Sequence, residues 1–141
     1  MFKRILVPTD GSEPSRHALK TALELAKKFN SEVELFHVTM TQEAYYGYTA
    51  GYSIDINQDQ IDKNGDLALE ITLQGLDVGD IDLTKKHIPG NAAICILDEI
   101  RRDFDLVIMG TSGHGAIGGA IIGSVTQRIM AHSLCPLLIV K

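Results

Sequence analysis

The sequence predicts an α/β fold in which helices cover a mostly parallel β-sheet. Short apolar runs alternate with amphipathic stretches along the chain, which is typical of repeated βα units. The run Leu106-Val107-Ile108-Met109 has no polar alternation, as expected of a central parallel strand buried on both faces. A length of 141 residues suits one domain with an adequate core. We therefore expect a single domain over residues 1–141.

The first βα unit is the clearest in the sequence. Ile5-Leu6-Val7 is predicted to be a short buried strand that ends at Pro8. A helix follows, with Ser12 as its N-cap and Asn30 at its end, because these residue types satisfy the unpaired backbone groups of helix termini. A second strand is expected from Glu32 to about Val38.

The middle of the chain is harder to interpret. From Met40 to about Gln58 the sequence is polar and contains all four tyrosines, Tyr45, Tyr46, Tyr48 and Tyr52, which predicts either an aromatic lid or a mobile surface loop. Helical spacing resumes at Ile61 and continues to Leu76, although Gly65 and Gly75 weaken it. A third strand is predicted at roughly Leu83 to Ile88, and the charges within it are typical of an edge strand.

The second half of the chain continues the alternation. A helix is expected from Ala92 to Arg102, and the buried strand that ends at Met109 follows it. A glycine-rich segment then runs from Gly110 to Gly123. A last helix from Ser124 to about His132 and a fifth strand at Leu137–Val140 complete the pattern.

Composition excludes several classes of protein. The formal charge of −5 has the wrong sign for a protein that holds nucleic acid phosphates by bulk electrostatics. No apolar run is long enough for a membrane span or a signal peptide, so we expect a cytoplasmic protein with no membrane partner. Cys95 and Cys135 lack metal or redox spacing and are interpreted as buried, inert thiols.

The glycine-rich segment is the strongest functional signal. Six of the thirteen glycines fall within fourteen residues, between a buried strand and a helix, at Gly110, Gly113, Gly115, Gly118, Gly119 and Gly123. Amides of such a loop and of the following helix can bind an anion, most commonly a phosphate chain. The hydroxyls of Ser124 and Thr126 would add donors. A flexible surface loop without a ligand is the alternative.

Three better-known motifs do not account for this segment. Residues Gly113 to Gly118 satisfy G-x-G-x-x-G, but they do not open a helix, and no acidic residue lies about 20 residues further on. A phosphate-binding P-loop requires a lysine that is absent here. The hydrolase pattern G-x-S-x-G is also absent.

The pattern that does match is G-x-x-G followed by nine residues and G-[ST], at Gly110, Gly113, Gly123 and Ser124. Together with Ile5 to Ser12 and Cys135 to Val140, it resembles the ATP-binding branch of the universal stress protein family. The resemblance implies an open five-stranded parallel sheet of order 3-2-1-4-5. It also implies an adenine nucleotide at the carboxyl ends of strands 1 and 4, where the reversal of strand order creates a crevice.

The resemblance implies a role for each matching residue. Adenine is bordered by Pro8, Thr9 and Asp10 and contacted by Val38; the ribose and phosphates are approached by Met109, Gly110 and Gly113; and the phosphates are held by Gly123, Ser124, Val125 and Thr126. Asp10 could instead serve only as a turn residue. His114 lies in the loop, where it either meets the phosphate or is solvated. The implied ligand is ATP, ADP or AMP, with or without Mg²⁺ or Mn²⁺.

Catalysis by such a site is expected to be absent or slow. Phosphoryl transfer needs cations that neutralise developing charge, and Arg128 is the only permanently cationic residue between Gly110 and Lys141. We expect a regulatory, stress-response ATP-binding protein with no catalytic residue. A slow ATPase or autokinase that uses the same site, and an interaction module without nucleotide, remain as alternatives.

The fifth strand predicts the oligomeric state. Under the implied order it is an outer strand, yet Leu137–Val140 carries no charge, and an exposed edge of this kind invites pairing. A two-fold homodimer in which the last strands of two chains meet would cover it, and the family resemblance points the same way.

Overall fold

The computed structural model describes residues 1–43, 57–111 and 122–141. Within these residues the chain forms five strands, β1 (Arg4–Pro8), β2 (Glu32–Thr39), β3 (Leu83–Pro89), β4 (Leu106–Gly110) and β5 (Leu137–Val140). The helices are α1 (Glu13–Phe29), α2 (Gln58–Leu73), α3 (Ala92–Ile100) and α4 (Ser124–His132). The predicted tyrosine-bearing loop, Tyr45 to Tyr52, lies outside the described residues.

The strands form one parallel sheet in the order β3-β2-β1-β4-β5, which confirms the expected topology. β1 pairs with β2 on one side and with β4 on the other, with Ile5 opposite both Val33 and Leu106. The chain therefore leaves β1 toward one edge of the sheet and later returns to add β4 and β5 at the other edge.

Helices cover both faces of the sheet and create two cores. On one face α1 and α2 pack through residues such as Leu19 and Leu69 against Leu35. On the other face α3 and α4 pack through Ile96 and Ile129 around a second set of strand residues, among them Phe36 and Val107. All five residues of β4 are buried, as its uninterrupted apolar sequence predicts.

The helix termini explain why α1 begins and ends where the sequence predicts. The Ser12 side chain accepts a hydrogen bond from the amide of Ser15 and so caps the first turn. Asn30 adopts the left-handed conformation with φ of 55°, and its amide donates to the carbonyl of Ala26. Asparagine tolerates this conformation better than most residues do, which makes it a suitable helix end.

Two predicted helix ends are wrong. The second helix ends at Leu73, so Leu76 packs against the core from the segment that follows it. The third helix ends at Ile100 instead of Arg102. After α2 the apolar spacing continues because Leu76 still packs against the core, although the backbone is no longer helical. After α3 the residues Arg101 to Asp103 are charged and exposed, and the chain turns there instead of continuing the helix.

Gly65 is necessary for the packing of α2. A Cβ atom built on this buried glycine would lie 2.8 Å from the ring of His87 and 2.9 Å from the Cγ2 atom of Thr39. The helix therefore approaches the ends of β2 and β3 more closely than an alanine would permit. The low helix propensity of glycine is offset by this close approach.

The cysteines differ from the prediction in one respect. Cys95 and Cys135 are half-buried instead of fully buried, and neither is in a disulfide. Burial raises the pKa of both thiols, so both remain protonated and weakly nucleophilic at neutral pH. Among the described residues, no helix combines the length and apolar character needed to cross a membrane.

Candidate functional site

The candidate site is the crevice at the carboxyl ends of β1, β2 and β4, beside the first turn of α4. The predicted residues Pro8, Val38, Met109 and Gly110 all lie within two residues of a strand end. Two hydrogen bonds tie α4 to β4: the amide of Gly123 donates to the carbonyl of Thr111 at 2.8 Å, and the hydroxyl of Thr126 donates to the carbonyl of Gly110 at 3.0 Å. The fold thus brings residues more than 100 positions apart to one edge of the sheet.

A directed chain of hydrogen bonds holds the turn after β1. The Thr72 hydroxyl donates to the carbonyl of Ala68 at 2.7 Å, so its oxygen is left as an acceptor for the Thr9 hydroxyl, also at 2.7 Å. The Thr9 oxygen in turn accepts from the amide of Gly11 at 3.0 Å. Both threonines are buried, with 0% exposure at Thr72 and 7% at Thr9. Helix α2 therefore fixes the conformation of this turn.

A histidine at the end of β2 supports the same turn. The Nδ1 atom of His37 lies 2.7 Å from the carbonyl oxygen of Thr9, which can only accept, so Nδ1 carries the proton. The amide of Thr9 donates to the carbonyl of Phe36 at 2.8 Å. Thr9 is thus held through its amide, its carbonyl and its side chain.

The carboxylate of Asp10 organises the start of α1. Its Oδ1 atom accepts from the amide of Ser12 at 3.0 Å and from the hydroxyl of Ser15 at 2.9 Å. These contacts fit the turn role that the sequence allows for this residue, and they fix the position of the carboxylate at the edge of the crevice.

Gly110 is required by packing at the end of β4. A Cβ atom at this position would lie 2.7 Å from the Cβ atom of Pro14 and 2.8 Å from its carbonyl carbon. The first turn of α1 therefore rests directly on the backbone of Gly110. This contact accounts for the glycine without reference to a ligand.

The first turn of α4 offers backbone donors to the crevice. Amides in the first turn of a helix have no acceptor within the helix, and Gly123, the N-cap, has no side chain with which to cap them. The helix dipole also favours an anion at this end. The amides of Ser124, Val125 and Thr126 are therefore suited to bind phosphate oxygens.

The hydroxyl of Thr126 has a different role from the predicted one. It is buried and donates to the carbonyl of Gly110, so it positions α4 instead of extending into the crevice. Ser124 is exposed at the helix start, where its hydroxyl is accessible. Two other predicted residues, Gly113 and His114, lie outside the described residues.

The charge of the described site is low. Arg128 is exposed and lies beyond the first turn of α4. In residues 1–43, 57–111 and 122–141, no group of three or more His, Cys, Asp or Glu side chains is placed to hold a metal ion. Backbone amides and hydroxyls are therefore the anion-binding groups that the described part of this site offers.

Sequence reasoning missed two residues of the site, Thr72 and His37. Thr72 is 63 positions from Thr9, and a threonine inside an amphipathic helix gives no local signal of such a contact. No sequence pattern marks His37 as a partner of Thr9, because the two residues meet only when β1 and β2 pair. Two other histidines also have partners, since His17 contacts the carbonyl of Lys141 and His87 pairs with Asp66.

Comparisons with known proteins agree on one family. The model of the universal stress protein family matches residues 1–141. A universal stress protein of Methanocaldococcus jannaschii is 29% identical over 142 residues, covering 100% of this chain and 83% of that protein.

Two solved structures are similar in fold and contain nucleotides. One is a universal stress protein in complex with cAMP, with a TM-score of 0.67, 21% identity, and coverage of 99% of this chain and 96% of that one. The other is a universal stress protein of Archaeoglobus fulgidus in complex with dAMP, with a TM-score of 0.68, 16% identity and full coverage of both chains at 100%.

Substitution of Thr72 tests the support of the turn by α2. Thr72→Val preserves shape but leaves the buried Thr9 hydroxyl without an acceptor, so we expect a loss of about 1–3 kcal/mol in the free energy of unfolding. Urea denaturation measures it. The control is Thr21→Val, whose hydroxyl also bonds four residues back but lies near the surface, and which should change stability by less than about 0.5 kcal/mol. If the two variants were equally stable, the hydrogen bond between Thr72 and Thr9 would not support the turn as described.

Proposed function

Since the chain belongs to the universal stress protein family, we propose that it binds an adenine nucleotide in the crevice where β1 and β4 end. The observation that carries the proposal is the uncapped first turn of α4, which is tied to the end of β4 by the hydrogen bonds of Gly123 and Thr126. This turn presents amide donors at the point where the strand order reverses, which is where doubly wound sheets bind ligands.

The solved relatives support the class of ligand. Their complexes contain cAMP and dAMP, each of which combines an adenine base with one phosphate. For this chain we propose ATP as the preferred nucleotide, because the pattern Gly110, Gly113, Gly123 and Ser124 resembles the ATP-binding branch and provides donors for more than one phosphate.

The proposed pose follows the order of the elements. The base would lie between the turn Pro8 to Asp10 and Val38, the sugar near Met109 and Gly110, and the phosphates at the first turn of α4. The turn is fixed by Thr72 and His37, so it would require little reorganisation on binding. Such preorganisation lowers the entropic cost of association.

Binding without rapid hydrolysis is the second part of the proposal. Amides and a helix dipole bind a triphosphate in its ground state, but acceleration of cleavage needs cations and a group that positions the nucleophile. The exposed Arg128 lies beyond the first turn and is poorly placed for this role. A regulatory role, in which nucleotide occupancy alters a partner surface in a stress response, fits this chemistry better than a metabolic one.

Gly123→Val tests the site. Gly123 has φ of −63° and ψ of 157°, a conformation open to any residue, so valine should be tolerated by the fold. Its side chain would cover the amides of α4, and we expect ATP affinity in isothermal titration calorimetry to fall at least tenfold, or about 1.4 kcal/mol.

The matched control is Ala131→Val, which adds a branched side chain at an exposed position near the other end of α4. It should bind ATP like the original protein. If the original protein itself fails to bind adenine nucleotides with Mg²⁺ present, the interaction module without nucleotide becomes the better account.

Steady-state ATP turnover tests the catalytic part. Because the described site lacks neutralising cations, we expect fewer than about one turnover per second, below the ordinary enzyme range of roughly 1 to 1,000 per second. Turnover within that range would favour the ATPase alternative. A single-turnover experiment that follows phosphate into the protein would reveal an autokinase.

We also propose that the chain forms a two-fold homodimer through β5. This strand is the outer strand beside β4, and Leu138 on it is 39% exposed, with Leu134 just before it 79% exposed. Pairing of two β5 strands would cover these side chains and satisfy the open backbone edge.

Leu138→Lys tests the dimer by placing a charge in the proposed interface. We expect the sedimentation coefficient at micromolar concentration to change from that of a dimer to that of a monomer. Ile71→Lys is the matched control, because Ile71 on α2 has the same exposure of 39% but is not on the edge strand, and it should remain dimeric. A monomeric original protein would contradict the proposal.

A further inference from the structure

A buried cluster of charged side chains lies away from the crevice, where the C-terminal turn of α3 packs against β2 and β3. Glu99 on α3 is only 4% exposed. Both of its carboxylate oxygens lie 3.0 Å from the Nζ atom of Lys86 on β3, and Oε2 is 3.7 Å from the Nε atom of Arg102. The Lys86 ammonium also lies 5.9 Å from the ring centre of Phe36. A buried carboxylate with these partners is well satisfied.

A second carboxyl group, that of Glu34 on β2, enters the same cluster. Its Oε1 atom is buried, and none of the described residues donates a hydrogen bond to it. The carboxyl group lies within hydrogen-bonding range of Glu99. Two ionised carboxylates in this position would repel one another and would leave Oε1 without a donor, whereas a protonated Glu34 can donate to Glu99.

We propose that Glu34 holds a proton and donates it to the Glu99 carboxylate, so that this contact between β2 and α3 is strong in mild acid and weakens as the pH rises through neutrality. The cluster would therefore make the stability of the fold sensitive to pH over the physiological range. The proposal does not depend on nucleotide binding, because none of its groups belongs to the crevice.

The surroundings of Glu34 support the shared proton. Burial raises its pKa from the ordinary value of 4.5 to about 7, and the neighbouring Glu99 acts in the same direction. Lys86 and Arg4 on the adjacent strands oppose the rise but do not cancel it. Arg4 also has other partners. Its Nε atom lies 3.4 Å from the Oε2 atom of Glu32, and its Cζ atom lies 4.4 Å from the ring centre of Phe104.

A cavity of about 300 Å³ adjoins the cluster and is lined in part by Arg4, Glu32, Glu34, Lys86 and Phe104. Six of its nine lining residues belong to β2 and β3, so the open space lies beside the strands that carry Glu34 and Lys86. Water in this cavity would give the carboxyl pair a route for proton exchange without unfolding.

The direction of the pH effect follows from linkage. Between about pH 4.5 and 7 the unfolded chain has lost the Glu34 proton while the folded chain retains it, so unfolding releases a proton and stability falls as the pH rises. Above about pH 7 the folded protein loses it too, and the stabilisation is gone. The stability therefore changes with pH in the opposite direction to the change that a carboxylate stabilised by a salt bridge produces.

Glu34→Gln tests the proposal, because glutamine is neutral at every pH and can still donate to Glu99. We measure the thermal midpoint of the full chain from pH 5 to 8. The midpoint of the variant minus that of the original protein should be close to zero at pH 5 and should rise to roughly 3 to 8 °C at pH 8. A difference that does not change with pH would overturn the proposal.

Glu32→Gln is the matched control on the same strand. The Glu32 side chain is 61% exposed, so its difference from the original protein should not grow between pH 5 and 8. Growth as large as that of Glu34→Gln would overturn the specific role of the buried pair.

Titration of the original protein gives a direct readout that needs no stable variant. The side-chain carboxyl ¹³C signal of Glu34, assigned by its absence in Glu34→Gln, should titrate with a midpoint near 7. A midpoint below about 5 would show that Glu34 is ionised at neutral pH and would overturn the proposal.

Discussion

Burial of β4 on both faces is the constraint from which the position of the crevice follows. A strand without polar alternation needs helices above and below it, and right-handed crossovers place helices on a second face only if the chain reverses its direction across the sheet. In this protein α1 and α2 cover one face, and α3 and α4 cover the other. The reversal separates the connections that leave β1 and β4, and the space between them is the candidate site.

The polar side chains of the site act mainly on the protein backbone. Thr9, Thr72, His37 and Thr126 each bond to main-chain groups or to one another, and in doing so they fix the turn after β1 and the first turn of α4. The donors left for a ligand in the described residues are therefore mostly amides. A site of this type recognises the shape and charge of a phosphate group but offers little with which to break its bonds.

Local patterns predicted most of the fold, and with it the strand ends that meet at one edge of the sheet beside the candidate site. The caps of α1, the apolar run of β4 and the bounds of α4 and β5 each depend on neighbouring residues, and the structure agrees with all of them. Contacts between distant residues could not be predicted. The pairing of Thr9 with Thr72 and the meeting of Glu34 with Glu99 depend on the register of packed elements, which periodicity does not encode. Thr126 is a further example of a contact that the sequence does not reveal. A hydroxyl in the first turn of a helix suggests a ligand contact, but in the structure it donates to the carbonyl of Gly110.

The contact between Gly110 and Pro14 changes what a glycine in this motif can be taken to mean. A descendant of this protein that abandoned its ligand would still need the glycine, because any larger residue would push α1 off the sheet. The backbone conformation of Gly123 imposes no requirement for glycine, since φ of −63° and ψ of 157° suit other residues equally well. Relatives that keep Gly110 but have another residue in place of Gly123 are therefore the ones in which we expect the pocket to have lost its ligand.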